Sequence, residues 1–162
     1  MSLIVGLPGA GKTTLARRLE AERAGIRFTP DEWMKPLLGV NEEDGKRWVL
    51  ESQLLWGVAA RALTLGVSAI LDYGCWSETE RDLFRNRAHE HGALAEIVVL
   101  NPPFEVLWER VAARNAALPE GTFRITREEL EEYNSQFHVP DAAELARWDR
   151  QLVVTDVQEA NA

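Results

Sequence analysis

The sequence predicts an α/β layer fold built on a mainly parallel sheet. Three observations lead there. Helical and extended signals alternate from one end of the chain to the other. No repeat, low-complexity tract or linker interrupts them. With 162 residues, 46% apolar and 27% charged, the chain is large enough for one core and too apolar for disorder.

The elements follow in order. Leu3–Val5 is a short buried strand, followed by a glycine-rich turn and a helix from about Lys12 to Glu22 that closes near Gly25. Ile26–Thr29 is a second strand, ending at Pro30-Asp31-Glu32-Trp33. Asn41 can cap a long helix to Leu65, with Gly66 as its stop, although Gly45 and an acidic first turn weaken that start. Val67–Leu71 is the third strand and ends at Asp72. Ser77 and Glu80 form a capping box that opens a helix to Glu90. Ala95–Leu100 is the fourth strand, and Pro102-Pro103 starts a helix with Phe104, Leu107, Trp108 and Val111 on one face. Residues 116–125 read as a loop. Thr126 and Glu129 form a second capping box, whose helix buries Leu130, Tyr133 and Phe137 before Pro140 stops it. Leu152–Val154 is a fifth strand, and residues 156–162 are expected to form a flexible tail.

Composition excludes several classes. No apolar run reaches the length of a membrane span, and the start Met-Ser-Leu-Ile-Val-Gly lacks the basic region of a secretory leader. Cys75 is the single cysteine, so there is no intrachain disulfide and no multi-cysteine metal site, and a reducing, cytoplasmic setting is expected. A net charge of −8 disfavours broad nucleic-acid binding but permits a local anion pocket. The histidines make no metal-ligand spacing. Oligomeric state is not legible.

Gly6-Leu7-Pro8-Gly9-Ala10-Gly11-Lys12-Thr13 satisfies the G-x-x-x-x-G-K-[ST] pattern at every fixed position, between a strand and a helix. Glycines let successive N–H groups turn inward around phosphate oxygens, and the following helix points its positive end at the same spot. Lys12 is expected to reach the β- and γ-phosphates of ATP, Thr13 to ligate Mg²⁺, and Thr14 to add a phosphate contact.

With the phosphate loop, Thr29-Pro30-Asp31-Glu32-Trp33, Leu71-Asp72-Tyr73, Glu109-Arg110, Arg114-Asn115 and Thr126–Glu129, the chain resembles the small P-loop kinases of the zeta-toxin and chloramphenicol-phosphotransferase-like group, relatives of gluconate and shikimate kinases. The resemblance implies a P-loop NTPase three-layer fold with a five-stranded parallel sheet and a small helical lid. It also implies ATP bound beyond the carboxyl ends of the strands and transfer of its γ-phosphoryl group to a small-molecule hydroxyl. One domain is expected over residues 1–155, with the lid at about 115–127. Relatives usually continue past the fifth strand into a last helix, for which little sequence remains here.

Asp31 and Asp72 follow strand ends on the side of the phosphate loop. The resemblance makes Asp31 the base for the acceptor hydroxyl, with Glu32 a weaker candidate, and Asp72 the acidic residue near the metal. Their ordinary alternatives are a helix cap and a turn. Arg110 and Arg114 share a helix face, and with Arg124 and Arg127 they oppose a single acid, Glu120, between residues 110 and 127. They are candidates to bind phosphates from the lid, which contains Pro119 and Gly121, and Arg127 to touch substrate; the alternative is a solvated face. Trp33, Tyr73 and Trp76 follow the two aspartates and are candidates to line the acceptor pocket, whereas each Trp taken singly, Trp48 and Trp56 included, fits core packing better. The expected function is an ATP- and Mg²⁺-dependent kinase for a small molecule. A nucleotide-binding ATPase or regulatory protein is the alternative, followed by a polynucleotide 5′-hydroxyl kinase.

Overall fold

A computed structural model describes residues 1–38, 45–117 and 123–155, without the side chains of Lys35 and Leu38. Five strands, β1 (Ser2–Val5), β2 (Ile26–Phe28), β3 (Ala69–Gly74), β4 (Glu96–Leu100) and β5 (Arg150–Val154), form one sheet in the order β2-β3-β1-β4-β5. Every pairing is parallel. All residues of β1 and β3 are buried, so helices and loops cover both faces at the centre of the sheet. At the β5 edge Leu152 and Val153 remain exposed.

The helices are α1 (Lys12–Arg23), α2 (Pro30–Leu38), α3 (Lys46–Val49), α4 (Trp56–Thr64), α5 (Glu78–Glu90), α6 (Phe104–Ala117), α7 (Arg127–Gln136) and α8 (Ala142–Leu145). A π-helical turn, Leu50–Leu55, joins α3 to α4. Both capping boxes form: Ser77 with Glu80 opens α5, and Thr126 with Glu129 opens α7. Leu3, Ile4, Ile70, Leu71, Ile97, Phe84 and Leu107 fill the core.

Several expectations change. The third strand is longer and later than predicted, because its ladder with β1 continues past a register shift to pair Val5 with Gly74. Asp72 and Tyr73 therefore lie inside β3, not beyond it. The segment Pro30–Leu38 is a helix in which Asp31 and Glu32 occupy the acidic first turn. The long helix predicted from Asn41 is described only from Lys46, and it widens into the π turn; Asn41 itself lies outside the described residues. The widening is held by tertiary donors. Tyr73 Oη donates to the Glu51 carbonyl (3.3 Å) and Arg87 Nη1 to the Ser52 carbonyl (2.7 Å). The predicted loop starts later, since α6 runs to Ala117, and α8 was not predicted. Phe137 is buried as predicted but caps α7, and Tyr133 is half-buried. Residues 118–122 of the expected lid and the expected tail lie outside the described residues.

Candidate active site

The phosphate loop lies beyond the carboxyl end of β1, between the ends of β3 and β4, the switch point where open parallel sheets bind ligands. Its path requires glycine at two positions. Gly9 has φ +85°, and a Cβ there would lie 2.8 Å from the Leu107 carbonyl oxygen. Gly6 has φ +147°, and a Cβ there would collide with the Leu100 carbonyl. The loop is closed by Ala10 N–H donating to the Leu7 carbonyl (3.1 Å) and by Arg110 Nη1 donating to the Gly9 carbonyl (3.2 Å). Arg110, expected on phosphate, is thus spent on shaping the loop. Pro8 is half-buried, Ala10 buried and Thr14 exposed in the first turn of α1.

Thr13 Oγ1 donates to Asp72 Oδ2 at 2.7 Å, and Thr29 Oγ1 reaches the same oxygen at 3.1 Å. Thr29 in turn accepts from Arg27. Asp72 is 4% exposed, and its buried Oδ1 has no hydrogen-bond partner among the described residues. Burial pushes the Asp72 carboxyl up, opposed by Lys12, Thr13 and Thr29. Burial likewise pushes Lys12 down, opposed by Asp72 and Asp31. Lys12 Nζ donates to the Leu7 carbonyl (3.1 Å). A hydroxyl beside a buried carboxylate with a spare oxygen is a donor set suited to a hard cation such as Mg²⁺.

The two acids of α2 diverge. Glu32 faces Arg27 (3.0 Å) and Arg17 (3.4 Å), away from the loop. Asp31 Oδ1 accepts from Arg47 Nη1 at 2.7 Å, and its field reaches Lys12 and Arg114. Arg47 Nε is paired with Glu51 at 2.9 Å. Burial opposes the Arg47 charge, but Asp31 and Glu51 outweigh it. Burial pushes the Glu51 carboxyl up to about 7 against the pull of Arg47. Among the described residues the buried Nε of Arg114 has no hydrogen-bond partner, and burial lowers the affinity of Arg114 for the proton.

The geometry brings together Lys12, Thr13, Asp72, Asp31 and Arg114. It sends Tyr73 and Arg127 elsewhere. Tyr73 is buried, edge-on to Phe84 (5.1 Å), and belongs to the core because alternate residues of β3 face opposite sides. Arg127 pairs with Glu105 (2.6 Å) and Glu131 (3.1 Å) and lies over the Phe104 and Trp108 rings. Trp33 is 48% exposed on α2. Trp76 is half-buried and packs on Tyr133 (5.0 Å). Trp56 packs against Phe84 in the core, whereas Trp48 borders the same ring but is exposed. Arg47, Glu51 and Thr29 were missed. Arg47 and Glu51 stand four apart on a helix, a spacing the sequence does carry.

A family model described as AAA domain matches residues 1–140. The chain belongs to this AAA domain family. No match was found among curated proteins. Among solved structures, this AAA domain chain is similar to a Chloroflexus aurantiacus protein assigned only as a kinase (TM-score 0.75, 22% identity, 98% of this chain and 89% of that one). It is also similar to Chaetomium thermophilum Kti12 in complex with ADP-AlF3 (TM-score 0.75, 16% identity, 99% and 93%). A gluconokinase from Sinorhizobium meliloti follows (TM-score 0.64, 18% identity, 99% and 84%). At these identities the likeness shows the P-loop kinase fold.

Proposed function

We propose that this AAA domain protein is an ATP- and Mg²⁺-dependent phosphotransferase that moves the γ-phosphoryl group of ATP to a hydroxyl of a small-molecule acceptor. The observation that carries the reading is the divergence of Asp31 from Glu32. Of these two acids, Asp31 is the one that acts on Lys12 and Arg114 beside the phosphate loop, while Glu32 pairs with Arg27 and Arg17. The kinase assignment of the Chloroflexus protein and the gluconokinase likeness support it. Within the kinases, the motif pieces around Asp31 and Asp72 favour the zeta-toxin and chloramphenicol-phosphotransferase-like group.

In this reading the loop amides and Lys12 hold the phosphates. Thr13 and Asp72 would hold Mg²⁺, which when bound would neutralise phosphate charge. Asp31 accepts the proton of the acceptor hydroxyl. The acceptor oxygen bonds to the γ-phosphorus, the bridging P–O bond to ADP breaks, and Arg114 offsets charge on the transferring group. Arg47 orients Asp31. Trp33 and Trp76 flank the acceptor. Residues 1–155 act as one domain, with 115–127 as a cover that excludes water.

The alternative, hydrolysis with water as acceptor, draws on the Kti12 complex with ADP-AlF3. A screen of sugars, nucleosides, antibiotics and coenzyme precursors separates the two. Acceptor-dependent ADP formation, lost in Lys12→Ala and Asp31→Asn, is the expected result. ADP release that no acceptor accelerates would leave the hydrolase reading.

A further inference from the structure

Three consecutive carbonyls after β3 are held by three different parts of the chain. The Gly74 carbonyl accepts from Gly6 N–H (3.2 Å) in the phosphate loop, and the Trp76 carbonyl from His138 N–H (3.0 Å) beyond α7. Between them, the Cys75 carbonyl accepts from Arg81 Nη1 (3.0 Å) on α5. The backbone there is unusual. Gly74 has φ +94° and Cys75 has φ +42°, two left-handed residues in succession, the second bearing a Cβ. Residues with a Cβ disfavour that region, so something must hold it. Ala24, the other non-glycine residue with positive φ among the described residues, caps a helix; Cys75 does not.

Arg81 has the geometry to hold it. It is fully buried, and Glu144 grips it on two nitrogens, Nε at 2.6 Å and Nη2 at 2.8 Å, leaving Nη1 for Cys75. Glu144 is itself fixed at the start of α8, where its N–H donates to Asp141 Oδ1 (2.8 Å). A buried ion pair contributes little net stability compared with apolar packing, so its effect is sought in conformation. On the far side of the turn, a Cβ at Gly74 would lie 3.5 Å from the Gly6 carbonyl oxygen and 3.8 Å from Lys12 Cε. The turn at residues 74 and 75 therefore borders Lys12 and, through the Gly74 carbonyl, holds the first residue of the phosphate loop.

We propose that Arg81, aimed by Glu144, is a positioning residue for the phosphate loop: through the Cys75 carbonyl it keeps the turn in the left-handed form that presents the Gly74 carbonyl to Gly6. The functional consequence rests on the reading of that loop as the ATP site. Arg81 touches no reacting atom. Its influence passes through backbone conformation, which makes it testable by rescue: a glycine at position 75 adopts φ +42° without help, so Cys75→Gly makes the Arg81 anchor dispensable.

The test compares wild type, Arg81→Met/Glu144→Met, and that pair combined with Cys75→Gly. Methionines replace the buried ions with apolar volume and keep the core filled. The first readout is amide hydrogen exchange of Gly6 in nucleotide-free protein, with the β4 amides as internal reference. The second is the Kd for ATP with Mg²⁺. In the double variant, Gly6 exchange is expected to accelerate about tenfold and Kd to weaken about tenfold, with β4 unchanged; Cys75→Gly restores both. Unchanged Gly6 exchange in the double variant, or no restoration by Cys75→Gly, overturns the proposal. If the double variant does not fold, Glu144→Gln takes its place, with the same direction of change and the same rescue required. Failure of wild type to bind ATP would remove the nucleotide reading, and the Gly6 exchange result would still decide the role of Arg81.

Discussion

Arg47 Nη1 lies 2.7 Å from Asp31 Oδ1 while its Nε lies 2.9 Å from Glu51, so one guanidinium joins acids on two different helical segments. Removing it leaves two carboxylates facing each other. Arg47→Ala is expected to lose about 2 kcal/mol of stability near neutral pH. The loss should shrink near pH 5, where Glu51 already carries its proton. Urea denaturation at both pH values checks this, and a loss independent of pH would separate Glu51 from the pair.

Glu51 makes a pH prediction of its own. Its carboxyl is raised in the folded state to about 7 from 4.5, so the folded chain holds a proton that the unfolded chain has released. The sign follows: stability is highest below the unfolded value and falls as pH rises through the window up to about 7, by at most about 1.4 kcal/mol for each pH unit. Glu51→Gln should flatten that decline. Denaturation midpoints measured across the window for both proteins give the comparison, and parallel curves would refute it.

Lys12 tests the nucleotide site directly. ATP with Mg²⁺ at about 100 times its Kd is expected to stabilise the protein by about 2.7 kcal/mol. Lys12→Ala should keep the fold, since among the described residues Nζ donates to the nearby Leu7 carbonyl alone, yet lose turnover. Calorimetric melting with and without ATP is the measurement. A wild-type melting temperature indifferent to every nucleotide would remove the site.

Arg114 holds a buried nitrogen with no hydrogen-bond partner among the described residues, a cost the fold tolerates. Arg114→Met should therefore leave stability unchanged or higher. Its turnover should drop by a factor on the order of 10³, with a smaller change in ATP affinity. Full activity in this variant would make Arg114 a surface cation with a poor environment.

Gly9 offers a steric test. Gly9→Ala places a Cβ 2.8 Å from the Leu107 carbonyl oxygen at φ +85°, so the loop must shift. Nucleotide binding should fall with it. Retained affinity would mean that the loop adapts without loss.

The phosphate loop, both capping boxes and the alternation of strands and helices were legible in the sequence because each depends on local chemistry. Asp72 was identified, but its placement past a strand end was not correct. Its carboxylate interrupts an apolar run, and the Lys12 ammonium with the Thr13 and Thr29 hydroxyls, distant in sequence, explains why a strand can bury it. Tyr73 followed Asp72 into the candidate list by proximity, although adjacent strand residues face opposite ways. The separation of Asp31 from Glu32 was out of reach, since it depends on which arginines pack nearby. The π turn was equally hidden, because it is held by donors from Tyr73 and Arg87 rather than by its own sequence.

The order β2-β3-β1-β4-β5 has a consequence for synthesis. The strand made first sits in the middle of the sheet, with Ser2 paired to Ile70 on one side and to Glu96 on the other. As the chain leaves the ribosome, β1 has no neighbour until β3 and then β4 emerge. The phosphate loop then still lacks Leu107 and Arg110, the α6 residues packed against Gly9. A nascent chain thus carries the whole Gly6–Thr13 motif before α6 is made, with no means of shaping it. On the proposed function, ATP capture becomes a late event in the birth of the molecule, and a product ending before α6 bears the motif without the residues that shape it.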